Sequence, residues 1–298
     1  MRRRSVPASL ALCALLLASL LGCSDGDDDT SNRDTTTEAA EGGDSTTAPA
    51  EPAGVCGSAD DPLRIVLVND DGVINPAIDA LIEALGDDEA VELTVVAPAD
   101  ERSGSSDSTT PGGAAYEEAT TPAGHEAYAV DGFPADAVGV ALDDLGLDPH
   151  LVLSGINPGQ NFGPLAAISG TVGVGRTAVR RGYPALAVSG GLEIDEEQLA
   201  FGADLATDWI AEHCDALLDG SAQTDTVSSI NLPDCPVADM GELKEVPVAA
   251  DVPELPEGED IFTSTCDQSD PDPADDLAAA RAGYPTLSQV PPDISAEG

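Results

Sequence analysis

Ile65-Val66-Leu67-Val68 is apolar at every position and mostly β-branched. A half-buried strand would alternate, so this run predicts a strand covered on both faces. Strands of that kind pair in parallel, and parallel pairing needs a crossover, usually helical, before the next strand. The sequence supplies one at once. Asn75-Pro76 reads as an N-cap followed by proline at the first helical position, and Ile78, Leu81, Ile82 and Leu85 recur at helical spacing. The alternation continues with a strand over 91–96 closing at Ala97-Pro98, a short strand near 128–130, and a helix over 134–145. A buried strand at 151–153, a helix over 171–181 and a strand over 185–188 follow, then a long helix over 196–218 and a strand over 227–232. This order predicts an α/β fold, a three-layer, Rossmann-like, mostly parallel sheet with helices on both faces.

In such sheets ligands bind outside the carboxyl ends of the strands, near the point where strand order reverses. Three polar clusters follow predicted strands: Asn69-Asp70-Asp71-Gly72, Arg102-Ser103-Gly104 and Ser154-Gly155-Ile156-Asn157. Asp70 and Asp71 are adjacent carboxylates, which raise each other's cost of ionisation unless a cation neutralises them. With Asn157 and a serine hydroxyl they offer oxygen donors only, a set suited to Mg²⁺, Mn²⁺ or Ca²⁺. In isolation Asn69–Gly72 reads more readily as a turn, because Asn, Asp and Gly are turn residues. Ser169-Gly170-Thr171 precedes a predicted helix, where backbone N–H groups and a hydroxyl make an anion site or simply an N-cap. Neither a dinucleotide fingerprint nor a P-loop stands in its strand–turn–helix setting, and G-x-S-x-G is absent. His125, His150 and His213 lie outside the clusters, so a histidine-based triad lacks its base.

The charge excludes one class of partner. With 56 acidic and 11 basic side chains and a formal net charge of −45, the chain lacks the cations needed to grip a nucleic acid polymer. The same excess fits either a saline extracellular setting or acidic tails and solvated faces. Aromatic residues make up only 3% of the chain, so Val, Leu, Ile and Ala must build the core.

The N-terminus reads as an address. Arg2, Arg3 and Arg4 precede an apolar run from Leu10 to Leu21, too short for a comfortable membrane span, and then Gly22-Cys23. Leu20-Leu21-Gly22-Cys23 resembles a bacterial lipobox, which implies a signal peptide over 1–22 and lipidation of Cys23. Residues 23–62, with Asp27-Asp28-Asp29 and Thr35-Thr36-Thr37, show no apolar period and are expected to form a disordered acidic tether, with a folded domain over 63–298. The expected location is therefore the bacterial cell envelope, with lipid as the anchor. Cys56, Cys214, Cys235 and Cys266 remain, and export permits them to oxidise. The pairing expected is Cys214–Cys235 with Cys56–Cys266.

Taken in order, several segments resemble the survival protein SurE family. They are Asn69-Asp70-Asp71-Gly72, then Ala97-Pro98 with Arg102-Ser103-Gly104, then Ser154-Gly155-Ile156-Asn157 with Gly159 and Asn161, then Ser169-Gly170-Thr171-Val172, and Gly182-Tyr183-Pro184-Ala185-Leu186-Ala187-Val188-Ser189. Gly132-Phe133-Pro134-Ala135-Asp136, Asn231-Leu232-Pro233 and Asp276 with Gly283-Tyr284 extend the likeness over about residues 63–290. The resemblance implies a SurE-like fold and a metal-dependent phosphomonoesterase acting on nucleoside monophosphates, a 5'/3'-nucleotidase. It implies Asp70, Asp71, Ser103 and Asn157 as metal ligands, for Mg²⁺ or Mn²⁺ first and Ca²⁺ second. Asp70 and Asp71 would also be catalytic, while Asn161, Ser169, Gly170 and Thr171 would contact the phosphate. A homodimer is consistent with the same likeness. The alternative is an envelope lipoprotein that binds a nucleotide or other phosphorylated ligand without hydrolysing it. The chain departs from the family's pattern at Asp107, where asparagine is usual, and at Gly173, Gly175, Arg176 and Thr177, where alanines lead to a glutamate.

Overall fold

A computed structural model describes residues 56–86, 89–255 and 258–293. The expected signal peptide, Cys23 and most of the expected tether lie outside the described residues.

The strands are β1 (Gly57–Ser58), β2 (Asp61–Val68), β3 (Val91–Pro98), β4 (Ala115–Thr120), β5 (Glu126–Asp131), β6 (Leu151–Pro158), β7 (Ala185–Gly190), β8 (Val227–Asn231), β9 (Lys244–Glu245) and β10 (Thr286–Val290). They form one sheet in the order β4-β5-β3-β2-β6-β7-β8-β10-β9, with β1 beside β2. From β5 across to β8 every pairing is parallel. β4 and β10 join antiparallel to β5 and β8. The chain runs from β2 outward to β3 and β5, then returns to place β6 on the other side of β2. The switch point therefore lies between β2 and β6.

The uniformly apolar strands bury two different faces. Leu63, Ile65 and Leu67 of β2 join Leu151, Leu153, Leu186 and Val188 in one core, beneath α1 (Ala77–Leu85) and α4 (Glu196–Glu212). Val66 and Val68 join Val152, Ala185 and Ala187 in the other, beneath α2 (Pro134–Gly139) and α3 (Gly170–Arg180). Large residues line the first face and small ones the second. The small side lets α3 lie close: a Cβ on Gly175 would stand 2.5 Å from Val227 Cγ1. Full burial of each large apolar side chain contributes about 1.5–3 kcal/mol, so the two cores fix the sheet between its helices.

The predicted start of α1 holds to within one residue: Pro76, not Asn75, is the N-cap and the helix begins at Ala77, whose N–H donates to Asn75 Oδ1 at 2.9 Å. Several expectations need correction. The folded unit begins before residue 63, since Cys56 is buried and β1 pairs with β2. The expected helix over 196–218 is interrupted at His213, whose ring stacks on Trp209 at 4.1 Å, and α5 (Cys214–Leu218) follows. β4, β9 and β10 were not foreseen, nor was α6 (Asp276–Ala282). β4 reads Ala-Tyr-Glu-Glu-Ala-Thr and is largely exposed, so it carries no apolar run to betray it.

The disulfides differ from the expected pairing as well. They are Cys56–Cys214, with Cα atoms 5.4 Å apart, and Cys235–Cys266, at 5.8 Å. Cys214 starts α5, on the face that also buries Cys56, whereas Cys235 follows β8 toward the segment before α6. Sequence spacing could not decide among the three pairings, because it says nothing about which face each cysteine reaches. Among the described residues no helix is long and apolar enough to cross a membrane.

Candidate active site

β2 ends at Val68, and the next four residues turn away from the sheet at the switch point. Asn69 shapes that turn: its Nδ2 donates to the Gly72 carbonyl at 3.0 Å and its Oδ1 accepts from the Gly72 N–H at 3.2 Å. Gly72 sits at φ 95°, the left-handed region that a side chain disfavours. The turn places Asp70, only 2% exposed, against the start of α3. A Cβ on Gly170 would stand 2.6 Å from Asp70 Oδ2, so the absent side chain at that position is what admits the carboxylate. The Thr171 hydroxyl donates to Asp70 Oδ1 at 2.7 Å. The partial positive charge of the helix N-terminus adds to this.

Burial pushes the Asp70 carboxyl above its ordinary range, opposed by the Thr171 hydrogen bond. Asp71 is raised to about 7 by burial, then by the neighbouring charges of Asp70 and Glu101. Its Oδ2 atom is buried without a hydrogen-bond partner. Two raised carboxylates with an orphaned oxygen fit a cation, which would relieve both the desolvation and the repulsion. Every nearby donor is oxygen, so a hard divalent ion is the fitting kind. Among the described residues no group of three or more His, Cys, Asp or Glu could hold a metal ion. Neutral oxygens must therefore complete any shell.

The sequence nominated Ser103 and Asn157 for that part. The loop bearing Ser103 is anchored on the turn, with the Arg102 N–H donating to the Asp70 carbonyl at 2.7 Å. Ser103 itself is exposed and its N–H donates to Glu101 Oε1 at 3.0 Å. Hydrogen bonding from Ser103 holds the Glu101 carboxyl below its ordinary range. Asn157 lies beyond an irregularity in the β6–β7 pairing, opposite Ser189. Its Nδ2 donates to the Gly159 carbonyl at 2.6 Å, so the amide nitrogen is committed to its own loop.

The residues nominated for phosphate divide by role. Ser169 caps α3, its Oγ accepting from the Val172 N–H at 3.0 Å. Asn161 Nδ2 donates to Ser189 Oγ at 2.9 Å and to Thr171 Oγ1 at 3.4 Å, while its N–H donates to Asn231 Oδ1 at 2.6 Å. Asn161, Thr171 and Asp70 thus form one buried chain of hydrogen bonds, footed on β7 and β8. Asp70, Gly170, Thr171 and Asn161 come together; Ser103 is linked to them through the main chain.

Glu101 was not singled out from the sequence, and Ser189 and Asn231 stood there only as part of the resemblance, without a role. Glu101 adjoins Arg102-Ser103, and Ser189 and Asn231 end parallel strands on the same side as Asp70, so strand-end position was the available signal. Asp276, noted earlier only as part of the resemblance, is 1% exposed and accepts from the Gly163 and Ala249 N–H groups at 2.9 and 2.8 Å. It ties α6 to the turn that follows Asn161.

Fold and site together define a doubly wound α/β protein with an oxygen-rich acidic cluster at its switch point, set against a helix N-terminus. The family model for survival protein SurE matches residues 65–251, and the chain belongs to that family. It is 36% identical over 190 residues to a 5'-nucleotidase SurE of Dehalococcoides mccartyi, covering 63% of this chain and 70% of that one. A 5'-nucleotidase SurE of Alkalilimnicola ehrlichii is 33% identical over 245 residues, covering 78% and 91%. The crystal structure of SurE from Aquifex aeolicus superposes with a TM-score of 0.59 at 24% identity, over 78% of this chain and 94% of that one. That likeness concerns the fold.

Proposed function

We propose that the protein is a divalent-metal-dependent phosphomonoesterase that hydrolyses nucleoside monophosphates, as the names of its 5'-nucleotidase relatives suggest. The observation that carries this reading is the Asp70–Asp71 pair, with its unpartnered Oδ2 atom, set against the N-terminus of α3. Asp70, Asp71, Ser103 and Asn157 would hold the ion, Mg²⁺ or Mn²⁺ before Ca²⁺. When bound, such an ion supplies charge for a phosphoryl oxygen and acidifies water.

The chain's own groups do the remainder. A carboxylate oxygen of Asp70 or Asp71 that the ion does not take would accept the proton of an attacking water. Thr171 holds Asp70 in one orientation and is itself held by Asn161. The start of α3, from Ser169 to Thr171, presents the positive end of its dipole where the phosphoryl group would develop charge.

The proposed setting is the cell envelope, outside the cytoplasm, with Cys23 lipidated. The lipobox-like N-terminus and the two disulfides support it. A Cys23→Ser variant should then leave the membrane fraction, and its persistence there would reject the anchor.

The test of activity is phosphate release from several nucleoside monophosphates and simple phosphomonoesters, with and without Mg²⁺ or Mn²⁺. Metal-dependent turnover is expected, and its abolition by Asp70→Asn or Asp71→Asn in folded protein. No metal-dependent release from any of them would sink the enzyme. Saturable binding with the nucleotide recovered intact would instead favour a binding lipoprotein.

A further inference from the structure

Three of the positions at which the chain departs from its family's pattern meet in one contact. Gly173 lies one turn into α3, and a Cβ there would stand 2.1 Å from the Ser106 carbonyl oxygen. The loop after Ser103 therefore rests its main chain directly on the helix. Arg176, 5% exposed, reaches across this contact. Its Nη1 donates to the Ala167 carbonyl at 3.1 Å and to Ser106 Oγ at 3.2 Å, and its Nη2 lies 3.5 Å from Asp107 Oδ2. Its Nε donates to the Pro292 carbonyl at 3.0 Å. Asp107 also takes Arg180 Nη1 at 2.5 Å.

The same loop is stitched to the segment before Ser169 by further bonds. Ser106 Oγ donates to the Ala167 carbonyl at 2.7 Å, and the Ser106 N–H to the Ile168 carbonyl at 3.1 Å. The Ser103 loop is thus pinned at one end by Arg102 on the Asp70 carbonyl, and at the other by Ser106 on Ala167 and Ile168, with Arg176 gathering Ser106, Asp107 and Ala167 into one contact. Between the pins lies Gly104 at φ 70°, with nothing within 4 Å of where its Cβ would be. That exposed stretch is held within itself by the Ser103 N–H on Glu101 Oε1, and the pins at its two ends set where it lies. A buried guanidinium is costly unless its fork is satisfied, and here carbonyls, a hydroxyl and a carboxylate satisfy it.

We propose that Arg176, through Asp107 and Ser106, is a positioning residue for the cation site: it fixes the Ser103 loop on α3 and so sets Ser103 relative to Asp70 and Asp71. This rests on the metal-dependent reading above. A simple charge effect predicts the opposite sign from positioning. Removing a positive charge from a chain of net charge −45 should tighten binding of Mn²⁺ through long-range attraction. Losing a support of a ligand-bearing loop should weaken it, by about 10- to 100-fold in comparable sites.

The experiment measures Mn²⁺ dissociation constants by calorimetry on the disulfide-intact protein. It compares wild type with Arg176→Ala, Arg176→Lys, Asp107→Asn and, as the charge control, Arg181→Ala. Arg181 caps the same helix and pairs with exposed Asp143 instead. Arg176→Ala should weaken Mn²⁺ about tenfold or more, and its amides over 103–107 should exchange faster. Arg176→Lys keeps the charge without the fork and should fall between. Arg181→Ala should bind as well as wild type or better.

An Arg176→Ala constant equal to or tighter than that of Arg181→Ala overturns the proposal. Should Arg176→Ala fail to fold, wild-type constants in both Arg176→Lys and Asp107→Asn overturn it equally. Wild type that binds Mn²⁺ but releases no phosphate removes the enzyme reading and leaves this comparison intact. Wild type that binds no Mn²⁺ removes both.

Discussion

The Thr171 hydroxyl donates to Asp70 Oδ1 at 2.7 Å, joining the second residue of α3 to the turn after β2. These residues are far apart in sequence, and the bond exists because the switch point sets the β2 turn against a helix reached through β6. It assigns Thr171 a first task different from touching phosphate. The hydroxyl orients a carboxylate whose pKa burial raises, and it opposes part of that rise.

Thr171→Val keeps the shape and removes this donor. Asp70 then loses the contact that lowers its pKa, so protons compete better with a cation for the carboxylate. Metal-dependent kcat/KM should fall by about 10- to 100-fold, as for other supports of ligating groups. The loss should be steeper at pH 6 than at pH 8, and Thr171→Ser should restore most of it. A Thr171→Val profile parallel to wild type across that range would reject the role.

Gly170→Ala tests the close approach from the other side. Alanine favours helices over glycine by about 1 kcal/mol, so propensity alone predicts a stabler α3. The new methyl, however, would stand 2.6 Å from Asp70 Oδ2 and 2.7 Å from its Cβ, both in a buried turn. Crowding of that kind costs about 1–3 kcal/mol. The expected result is a lower melting temperature and loss of most turnover, with the circular dichroism spectrum unchanged. A rise in melting temperature with full activity would mean the turn yields freely.

How much of this was legible depends on what each residue announces. The continuous apolar run at 65–68 announced a parallel sheet, and the sheet then named its own ligand end. Asp70, Gly170, Thr171 and Asn161 were legible as strand-end and helix-start residues, and the structure gathers them. The pairing of Thr171 with Asp70 was not legible, because it depends on the distance between two turns. The disulfides failed for a related reason: cysteine spacing carries no record of the face on which Cys56 and Cys214 meet. β10 escaped because Thr-Leu-Ser-Gln-Val is neither a continuous apolar run nor a clean alternation, and it enters antiparallel at the side of β8.

Asp71 predicts a pH dependence in the metal-free protein. Its carboxyl rises from an ordinary 3.8 to about 7 in the fold, through burial and then Asp70 and Glu101. The native state therefore holds the proton more tightly than the unfolded one. Between about pH 4 and pH 7 stability falls as pH rises, and above 7 the penalty is complete. A tenfold difference in proton affinity between the two states corresponds to about 1.4 kcal/mol. Asp71→Asn removes the ionisation, so without metal its melting temperature should exceed that of wild type at pH 8 by several degrees, about 2–4 °C per kcal/mol. The two should converge toward about pH 4. Saturating Mn²⁺ should reverse the order at pH 8, since only wild type keeps the charged ligand. Equal melting temperatures at pH 8 in a chelator would show that Asp71 is solvated in solution.

Salt should stabilise the folded unit. A formal net charge of −45 with one lysine, Lys244, leaves few cations to offset repulsion among the acids. Several basic residues each have one acidic partner: Arg181 with Asp143, Arg281 with Glu259, and Lys244 with Glu242. Exposed pairs of that kind contribute about 0–1 kcal/mol each, so they relieve little of the total. The remaining acids repel across the surface, and such self-repulsion disfavours the compact state. Screening shortens its range from about 10 Å at 0.1 M ionic strength to about 3 Å at 1 M. The unit from residue 56 onward, which keeps Cys56 and its bond to Cys214, should therefore melt several degrees higher in 1 M NaCl than at low salt. Mn²⁺ should add a further increment that Asp70→Asn loses, because only native-state binding raises stability. The NaCl increment should survive in Asp70→Asn, since it arises from the whole surface and not from the site. A melting temperature indifferent to NaCl would mean that the acids stand far enough apart for repulsion not to matter.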